Sequence, residues 1–379
     1  MDRPVILVDK DIPWGIEAFD ALGKVVPYVA TDLAMDPSIL ADATVLACRS
    51  TTRLDCALLS AAPRLRVVAT PVIGRDHIVC EDVRTAQRAR GHAIEVFSAP
   101  GSTAAGVADW VVSSILTALP AAASLPRFKV GIWGFGNCGK ALAARLSRLR
   151  VRWIAFDPPL QVATSGAFLS ASQSDLADCD VVTVHVPLTG PQESNWPTRL
   201  MIGEATLSAL SAGKVRLLCN TSRGAVLEHS AVIAHMAGGR GPMLALDVFE
   251  GEPVPDVGMI SGPRIATAHL AGSVLEGRRR AVAKVRDDVR RYLRLPLSRF
   301  PMEPAGGFDR PVPLSISGRQ QLRDVEEDIL LAVPIDEWTR SFRNAYLSAA
   351  ISSRAAAFEA SRRGGTRREI RWNRLRQPH

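Results

Sequence analysis

Three side chains in the second half of the sequence, Arg223, Glu252 and His269, are of the types needed to move a proton and hold an anion. Each sits in its own short motif: Cys-Asn-Thr-Ser-Arg-Gly over 219–224, Asp-Val-Phe-Glu-Gly-Glu-Pro over 247–253 and Ala-His-Leu-Ala-Gly over 268–272. Each motif follows a short apolar run, which is where open α/β sheets place their chemistry. A 2-hydroxy acid gives up its C2 hydrogen together with its hydroxyl proton, so a site for that oxidation needs a base of near-neutral pKa and a cation for the carboxylate. His269 and Arg223 are of those types, and Glu252 paired with His269 would orient the ring and raise its pKa. Taken singly each residue is ordinary, since a histidine at a strand end is more often structural and Glu-Pro is usually a turn. Their joint occurrence in this order carries the signal.

Such an oxidation needs an acceptor, and the glycine-rich turn Gly134-Phe-Gly136-Asn137-Cys138-Gly139 supplies a place for one. Alone the pattern is weak. Here it follows the apolar run 129–133, opens a helix-forming stretch, and is followed 18 residues after Gly139 by Asp157 at the end of Trp153-Ile-Ala-Phe. That is the order in which a dinucleotide pyrophosphate meets a helix N-terminus and a carboxylate meets the adenosine ribose. Asp157 would repel a 2′-phosphate, and Pro158-Pro159 rather than an arginine follows it, so the cofactor expected is NAD. Asp247, ending the run 243–246, could bond the nicotinamide carboxamide; its plainer role is to cap the following turn. Cys138 would sit at a helix N-terminus, where a thiol pKa can fall, although its backbone N–H is the more natural contact.

The elements that must position these residues follow from alternating apolar runs and amphipathic stretches. Strands are expected at 5–9, 44–48, 66–70 and 93–97, with helices at 11–22, 54–59 and 79–90 between them. A long apolar helix over 104–119 leads to a second set of strands at 129–133, 151–156, 181–185, 215–219, 243–247 and 264–268, with a helix at 137–149. Such alternation implies parallel sheets covered on both faces. The reading is therefore an α/β protein of two doubly wound parallel-sheet (Rossmann-like) domains. A substrate-binding domain over 1–103 is completed by a helix at 274–295, and a NAD-binding domain spans 104–273. Prolines at 296, 301, 304 and 311 mark a linker to a less legible segment over 297–360, followed by a basic tail over 361–379.

Bulk properties narrow the class. With 379 residues, 47% hydrophobic and 22% charged, the chain is long enough for two cores and too apolar to be disordered. No run of 18 apolar residues and no leader-like N-terminus is present, which predicts a cytoplasmic protein without a membrane partner. Six scattered cysteines without a Cys-x-x-Cys pair or a nearby histidine at zinc spacing predict reduced thiols and no metal site. The net charge of +8 would suggest nucleic acid, but 361–379 holds seven arginines against one glutamate and accounts for +6 of it. That run reads as a solvated or disordered basic tail rather than a nucleic-acid site.

On these motifs the chain resembles the D-isomer-specific 2-hydroxyacid dehydrogenases over about residues 4–295. The resemblance extends to Ile6-Leu-Val-Asp-Lys-Asp-Ile-Pro13, Cys48-Arg-Ser-Thr, Gly74-Arg-Asp-His77, Ser98-Ala-Pro-Gly101, Phe156-Asp-Pro-Pro159, His185-Val-Pro-Leu188 and His269-Leu-Ala-Gly-Ser-Val-Leu-Glu-Gly277. It implies Arg223 and Glu252 as active-site residues, His269 as proton donor and acceptor, and a small phosphorylated 2-hydroxy acid as substrate. It further implies NAD contacts from Asp157, the backbone of Thr221, Ser222 and Arg223, Asp247 and Gly272. Ser50 corresponds to a substrate-binding serine, and Arg49 beside it is of the right type for a carboxylate or phosphate. The chain departs from the family at Val72 and Ser273, where a threonine and a tyrosine would contact substrate, at Val186, where a threonine would contact the cofactor, and at Ala99-Pro-Gly-Ser-Thr103. Asp324-Val-Glu-Glu-Asp328 and Phe342-Arg-Asn-Ala-Tyr346 are loosely similar to an α+β dimerisation segment, so a homodimer is expected. Val72 and Ser273 keep another D-2-hydroxy acid, such as 3-phosphoglycerate or hydroxypyruvate, open as substrate. An NAD-sensing regulatory protein on the same fold also stays open.

Overall fold

A computed structural model describes residues 3–119, 127–239, 241–296, 322–367 and 369–370. They fall into two compact units, 3–103 with 275–296 and 104–274 with 322–370.

In the first unit, β1 (Val5–Asp9), β2 (Lys24–Tyr28), β3 (Val45–Ala47), β4 (Val67–Ala69) and β5 (Glu95–Phe97) form a parallel sheet in the order β2-β1-β3-β4-β5. Successive side chains alternate across it, as a two-residue period requires. Leu7, Leu46 and Val68 enter one core with Leu58, Leu59 and Val83, while Ile6, Val8, Val45, Ala47, Val67 and Ala69 enter the other. The second core is closed by the helix Leu275–Tyr292, which lays Ala281, Val282, Val285 and Val289 along one face at helical spacing. The helix expected over 11–22 is confined to Gly15–Asp20. Pro13 disfavours helical backbone at Ile12, and the Asp9 carboxylate accepts from the Asp11 N–H at 2.9 Å, turning the chain before the helix starts. Strand β2 was not foreseen; it is an edge strand, where the missing N–H of Pro27 is tolerated.

In the second unit, β6 (Lys129–Trp133), β7 (Arg152–Phe156), β8 (Val181–Val184), β9 (Leu217–Asn220), β10 (Met243–Leu246) and β11 (Ile265–Ala266) form a parallel sheet ordered β11-β10-β9-β8-β6-β7. The helix Ala104–Ala118 is buried at all but one of its positions and packs with Asn137–Arg148 on one face, over Val130, Ile132, Val181, Cys219 and Ala245. The other face carries Val182, Val184, Leu218, Leu244 and Leu246. From β6 the chain runs outward to β7 and then back past β6 to β8, so a crevice opens at the carboxyl ends of β6 and β8.

The described C-terminal residues form the helices Leu322–Ala332, Ile335–Ser348 and Arg354–Gly364, and they belong to the second unit. Ile329, Val333 and Ile335 enter one of its cores and Phe342, Tyr346 and Phe358 the other, and Ile335–Ser348 packs against the edge strand β11. Each of these fully buried aromatic rings contributes about 3–5 kcal/mol relative to alanine. The sequence reading treated this segment as separate and α+β. The described part is helical and shares the second unit's core, with Phe342, Tyr346 and Phe358 in one cluster with Val182, Leu218 and Leu244 of its sheet. The linker prolines 301, 304 and 311 and residues 371–379 of the expected tail lie outside the described residues.

Among the described residues, no helix is long and apolar enough to cross a membrane, and no group of three or more His, Cys, Asp or Glu side chains is placed to hold a metal ion. All six cysteines are free.

Candidate active site

Each motif of the second unit spans or follows the carboxyl end of a strand. Gly134 follows β6 with φ 95°, a left-handed conformation that favours glycine, and a Cβ there would stand 2.9 Å from the His185 backbone and 3.1 Å from Val186 Cγ1. Gly139 is equally constrained, since a Cβ would meet the Gly134 carbonyl oxygen at 2.3 Å. Gly136 differs, for a Cβ on it would meet nothing within 4 Å. Its side therefore faces open space beside the N-terminus of Asn137–Arg148, which carries no side-chain cap. An uncapped helix start beneath a bare glycine is a cradle for a phosphate group, so the residues present fit a dinucleotide.

Asp157, at the end of β7, accepts from the Phe135 N–H at 2.7 Å and caps the helix Pro158–Ala163 through the Leu160 N–H at 2.9 Å. One carboxylate thus ties the glycine-rich turn to the end of β7. Phe135 stacks between Trp153 and Phe168, with ring centroids 5.5 and 5.3 Å away. Cys138 is not an activated thiol: burial pushes it up to about 11 despite the opposing charge of Arg223. A helix N-terminus can lower a thiol pKa, but desolvation outweighs it here, which leaves the backbone N–H as the expected contact.

His185, after β8, was noted in the sequence only as part of a motif. Its Nε2 lies 2.9 Å from the Thr183 hydroxyl and its Nδ1 3.0 Å from that of Thr221, and burial lowers its pKa to about 4. It is therefore a neutral strut between β8 and the loop after β9. In that loop, buried Asn220 accepts from the Ser222 N–H at 3.0 Å and hydroxyl at 2.7 Å, and donates to the Arg223 carbonyl at 3.0 Å. Arg223 Nη1 donates to the Ser222 carbonyl at 2.8 Å. Gly224 explains the Arg-Gly pairing, because a Cβ there would collide with the Phe249 carbonyl carbon at 1.9 Å. The Arg223 loop consequently lies against the loop that carries Glu252.

Glu252 and His269 meet as the sequence suggested. His269 Nδ1 is 2.8 Å from Glu252 Oε2, and the other carboxylate oxygen accepts from the Phe249 N–H at 2.8 Å. Their side chains are 34% and 22% exposed, so the pair is sheltered but reachable. Burial opposes both charges. The mutual attraction and the hydrogen bond nevertheless prevail, holding His269 above the usual imidazole range and Glu252 below the usual carboxylate range. His269 itself has φ 56°, an uncommon conformation for a side-chain-bearing residue.

Asp247 holds that conformation in place. Its carbonyl accepts from the His269 N–H at 2.8 Å, and its carboxylate accepts from the Thr267 hydroxyl at 2.5 Å and the Leu270 and Ala271 N–H groups at 2.6 and 2.9 Å. Thr267 in turn accepts from buried Trp110 at 3.1 Å. Burial outweighs these bonds and pushes Asp247 up to about 6. Gly272 and Ser273 close the same loop; the Ser273 hydroxyl is buried, 3.2 Å from that of Thr366.

The remaining expected residues belong to the first unit. Arg49 follows β3, but its guanidinium donates to buried Asp9 at 3.0 Å and to Asp11 at 2.6 Å. Ser50 is exposed beside it, and Val72 is partly buried, its carbonyl accepting from the Ala99 N–H at 2.9 Å. Arg75, which the sequence reading did not single out, donates through Nε to Ser98 at 3.0 Å.

Comparison with known proteins bears on the whole arrangement. Residues 109–271 match the family described as D-isomer specific 2-hydroxyacid dehydrogenase, NAD binding domain. The chain is 36% identical over 282 residues to an erythronate-4-phosphate dehydrogenase of Aeromonas salmonicida, covering 73% of this chain and 71% of that one. It is 38% identical over 281 residues to one of Azotobacter vinelandii, covering 74% and 70%. Among solved structures, a 2-hydroxyacid dehydrogenase from Ketogulonicigenium vulgare aligns with a TM-score of 0.60 at 25% identity, over 79% of this chain and 98% of that one.

Proposed function

Because the chain belongs to the D-isomer-specific 2-hydroxyacid dehydrogenases, we propose that it oxidises the C2 hydroxyl of 4-phospho-D-erythronate, as the names of its relatives suggest, to 3-hydroxy-2-oxo-4-phosphooxybutanoate within pyridoxal 5′-phosphate synthesis. The observation that carries the reading is the 2.8 Å bond between Glu252 and His269, next to the Arg223 loop.

In this reading Arg223 grips the substrate carboxylate, for which its planar fork is suited. His269 takes the C2 hydroxyl proton on Nε2, while Glu252 holds Nδ1–H, fixing the tautomer and stabilising the imidazolium that forms. NAD, when bound, accepts the C2 hydrogen with its electron pair. Gly134, Gly136, Asn137, Cys138 and Gly139 would cradle its pyrophosphate through their backbone, Asp157 would meet its ribose, and Val186, the Thr221–Arg223 backbone, Asp247 and Gly272 would border its nicotinamide end. Ser50 and Val72 stand, by resemblance, at positions that contact substrate in the family. Free cysteines suit a reducing cytoplasm. A homodimer through the C-terminal helices is supported by the exposed apolar Leu331, Leu347 and Ile351, and light scattering of the purified protein tests it.

The testing experiment follows NADH absorbance with purified protein, NAD and 4-phospho-D-erythronate, with a 2-oxo acid acceptor in a parallel assay to release any retained NADH. Turnover is expected. Oxidation of another D-2-hydroxy acid instead would move the substrate assignment, as Val72 and the engaged Ser273 hydroxyl would favour, and turnover of none would overturn the reading.

A further inference from the structure

The loop over 269–274 is held through both kinds of backbone group, by two different parts of the second unit. Asp247 takes its N–H groups, accepting from Leu270 and Ala271. Arg367 takes its carbonyls. The Arg367 N–H donates to the Ser273 carbonyl at 3.1 Å, forming a one-residue parallel bridge with Val274. Its Nη2 donates to the Ala271 carbonyl at 3.4 Å and to the Gly106 carbonyl at 2.7 Å. Gly106 lies in the buried helix Ala104–Ala118, where a Cβ would stand 3.0 Å from the Ala271 carbonyl oxygen and 2.6 Å from Val274 Cγ1. One guanidinium thus fastens the loop to the helix on which it packs.

Arg367 is itself fixed. Its guanidinium lies 5.6 Å from the ring centre of Trp338, on the helix Ile335–Ser348. Two residues earlier, Gly365 is buried so tightly against Leu270 that a Cβ would stand 2.5 Å from its methyl carbons. The Thr366 hydroxyl is 3.2 Å from that of Ser273, and the Ile370 N–H donates to buried Asp109 at 3.2 Å. Residues 365–367 and 370 of the expected solvated tail are therefore a fixed brace within the second unit. What the braced loop begins with is His269 at φ 56°, a conformation that a side-chain-bearing residue keeps only where its surroundings enforce it. In that conformation its Nδ1 meets Glu252 at 2.8 Å.

We propose that Arg367 is a positioning residue for the reaction: by fastening the carbonyls of the 269–274 loop, it keeps His269 aligned with Glu252 and with the substrate hydroxyl. The assignment rests on the reading of His269 as the group that takes the hydroxyl proton. Slackening the loop costs alignment rather than a substrate contact, so the loss falls on kcat.

The test uses the full chain carrying Arg367→Gln, which removes the charged fork and keeps the backbone bond to Ser273, Arg367→Lys, or Gly365→Val, which pushes on Leu270 without changing charge. Ser113→Ala is the control. Its hydroxyl donates to the Val333 carbonyl at 2.7 Å, about two helical turns along from Gly106, so its loss loosens the same C-terminal segment away from the loop. In Arg367→Gln and Gly365→Val, kcat for the hydroxy acid falls about tenfold or more with KM changed less than about threefold. Arg367→Lys recovers part of the loss, and Ser113→Ala stays within about twofold of wild type. Independently of turnover, the His269 imidazole is titrated by NMR, its signal assigned by its absence in His269→Ala. Glu252 and Asp247 raise that pKa and Arg362 lowers it, and all three stay in place. Deleting a positive charge by itself raises an imidazole pKa, whereas a slackened pair with Glu252 lowers it. The lower value is expected in both Arg367→Gln and Gly365→Val, with the rise of kcat with pH displaced to lower pH alongside it. A His269 pKa that stays put or rises overturns the proposal, as does a fall that leaves kcat intact or that Ser113→Ala reproduces. Should Gly365→Val fail to fold, the two Arg367 variants decide alone. A wild type that oxidises no 2-hydroxy acid, while the His269 pKa still falls in Arg367→Gln, would sink the proposed reaction and leave the hold on His269 standing.

Discussion

The two sheets are built alike, parallel and with the same strand order over their first five strands, yet their carboxyl edges treat charge in opposite ways. At the edge of the first, Arg49 lies between Asp9 and Asp11, and one of those carboxylates is buried. The charges satisfy one another. At the edge of the second, Glu252 and His269 pair with each other but remain 22% and 34% exposed, with both pKa values displaced and the second imidazole nitrogen available to a ligand. A doubly wound topology therefore supplies a place for chemistry, and the supply of local counter-charges decides whether a polar group there becomes scaffold or reagent.

The comparison breaks first at His269. Replacing it with alanine is expected to reduce kcat/KM for the hydroxy acid about 10²- to 10⁴-fold, the loss of a general acid–base group, with NAD affinity retained by calorimetry. If Arg49→Ala cost as much, the contrast between reagent and scaffold would be lost.

Glu252→Gln tests the pairing itself. Oxidation uses neutral His269, so its rate rises with pH through the raised pKa; reduction of the 2-oxo acid uses the imidazolium and falls through the same pKa. Without the carboxylate that pKa drops, and both limbs should move to lower pH, with a loss of about tenfold or more in kcat. Limbs that stay where they are in the wild-type profile would mean that the 2.8 Å bond does not set the proton affinity.

Asp9→Asn addresses the other edge. It removes the buried charge that holds Arg49, and urea unfolding should show a loss of about 1.5–3 kcal/mol. If stability were unchanged while KM rose steeply, Arg49 would have to be counted with the reagents.

What could be read beforehand follows the same division. Strands β1, β6, β8 and β9 are short apolar runs bounded by turn residues, and the glycine at 139 answers to contacts within its own βα unit, so local pattern sufficed. Strand β2 escaped because an edge strand containing Pro27 lacks that pattern. The neutralisation of Arg49 depends on Asp9, 40 residues earlier, and the brace behind His269 joins Ser273 to Thr366 across 93. Nothing local encodes such pairs. An arginine-rich run resembles a solvated tail until Gly365 is seen against Leu270.

The smallest effect sharpens the comparison most. Ser273 lies in the reagent loop, but its hydroxyl is buried beside Thr366, which would make it scaffold. Ser273→Ala leaves the backbone bond from Arg367 to its carbonyl in place and removes only side-chain contacts, so the expected loss is about 0.5–1.5 kcal/mol of stability. KM for the hydroxy acid should change less than threefold, a range corresponding to about 0.7 kcal/mol. Melting curves and steady-state kinetics on one preparation separate the two roles. A KM that rises about tenfold with stability intact would make Ser273 a substrate ligand and move the dividing line between scaffold and reagent inside the loop itself.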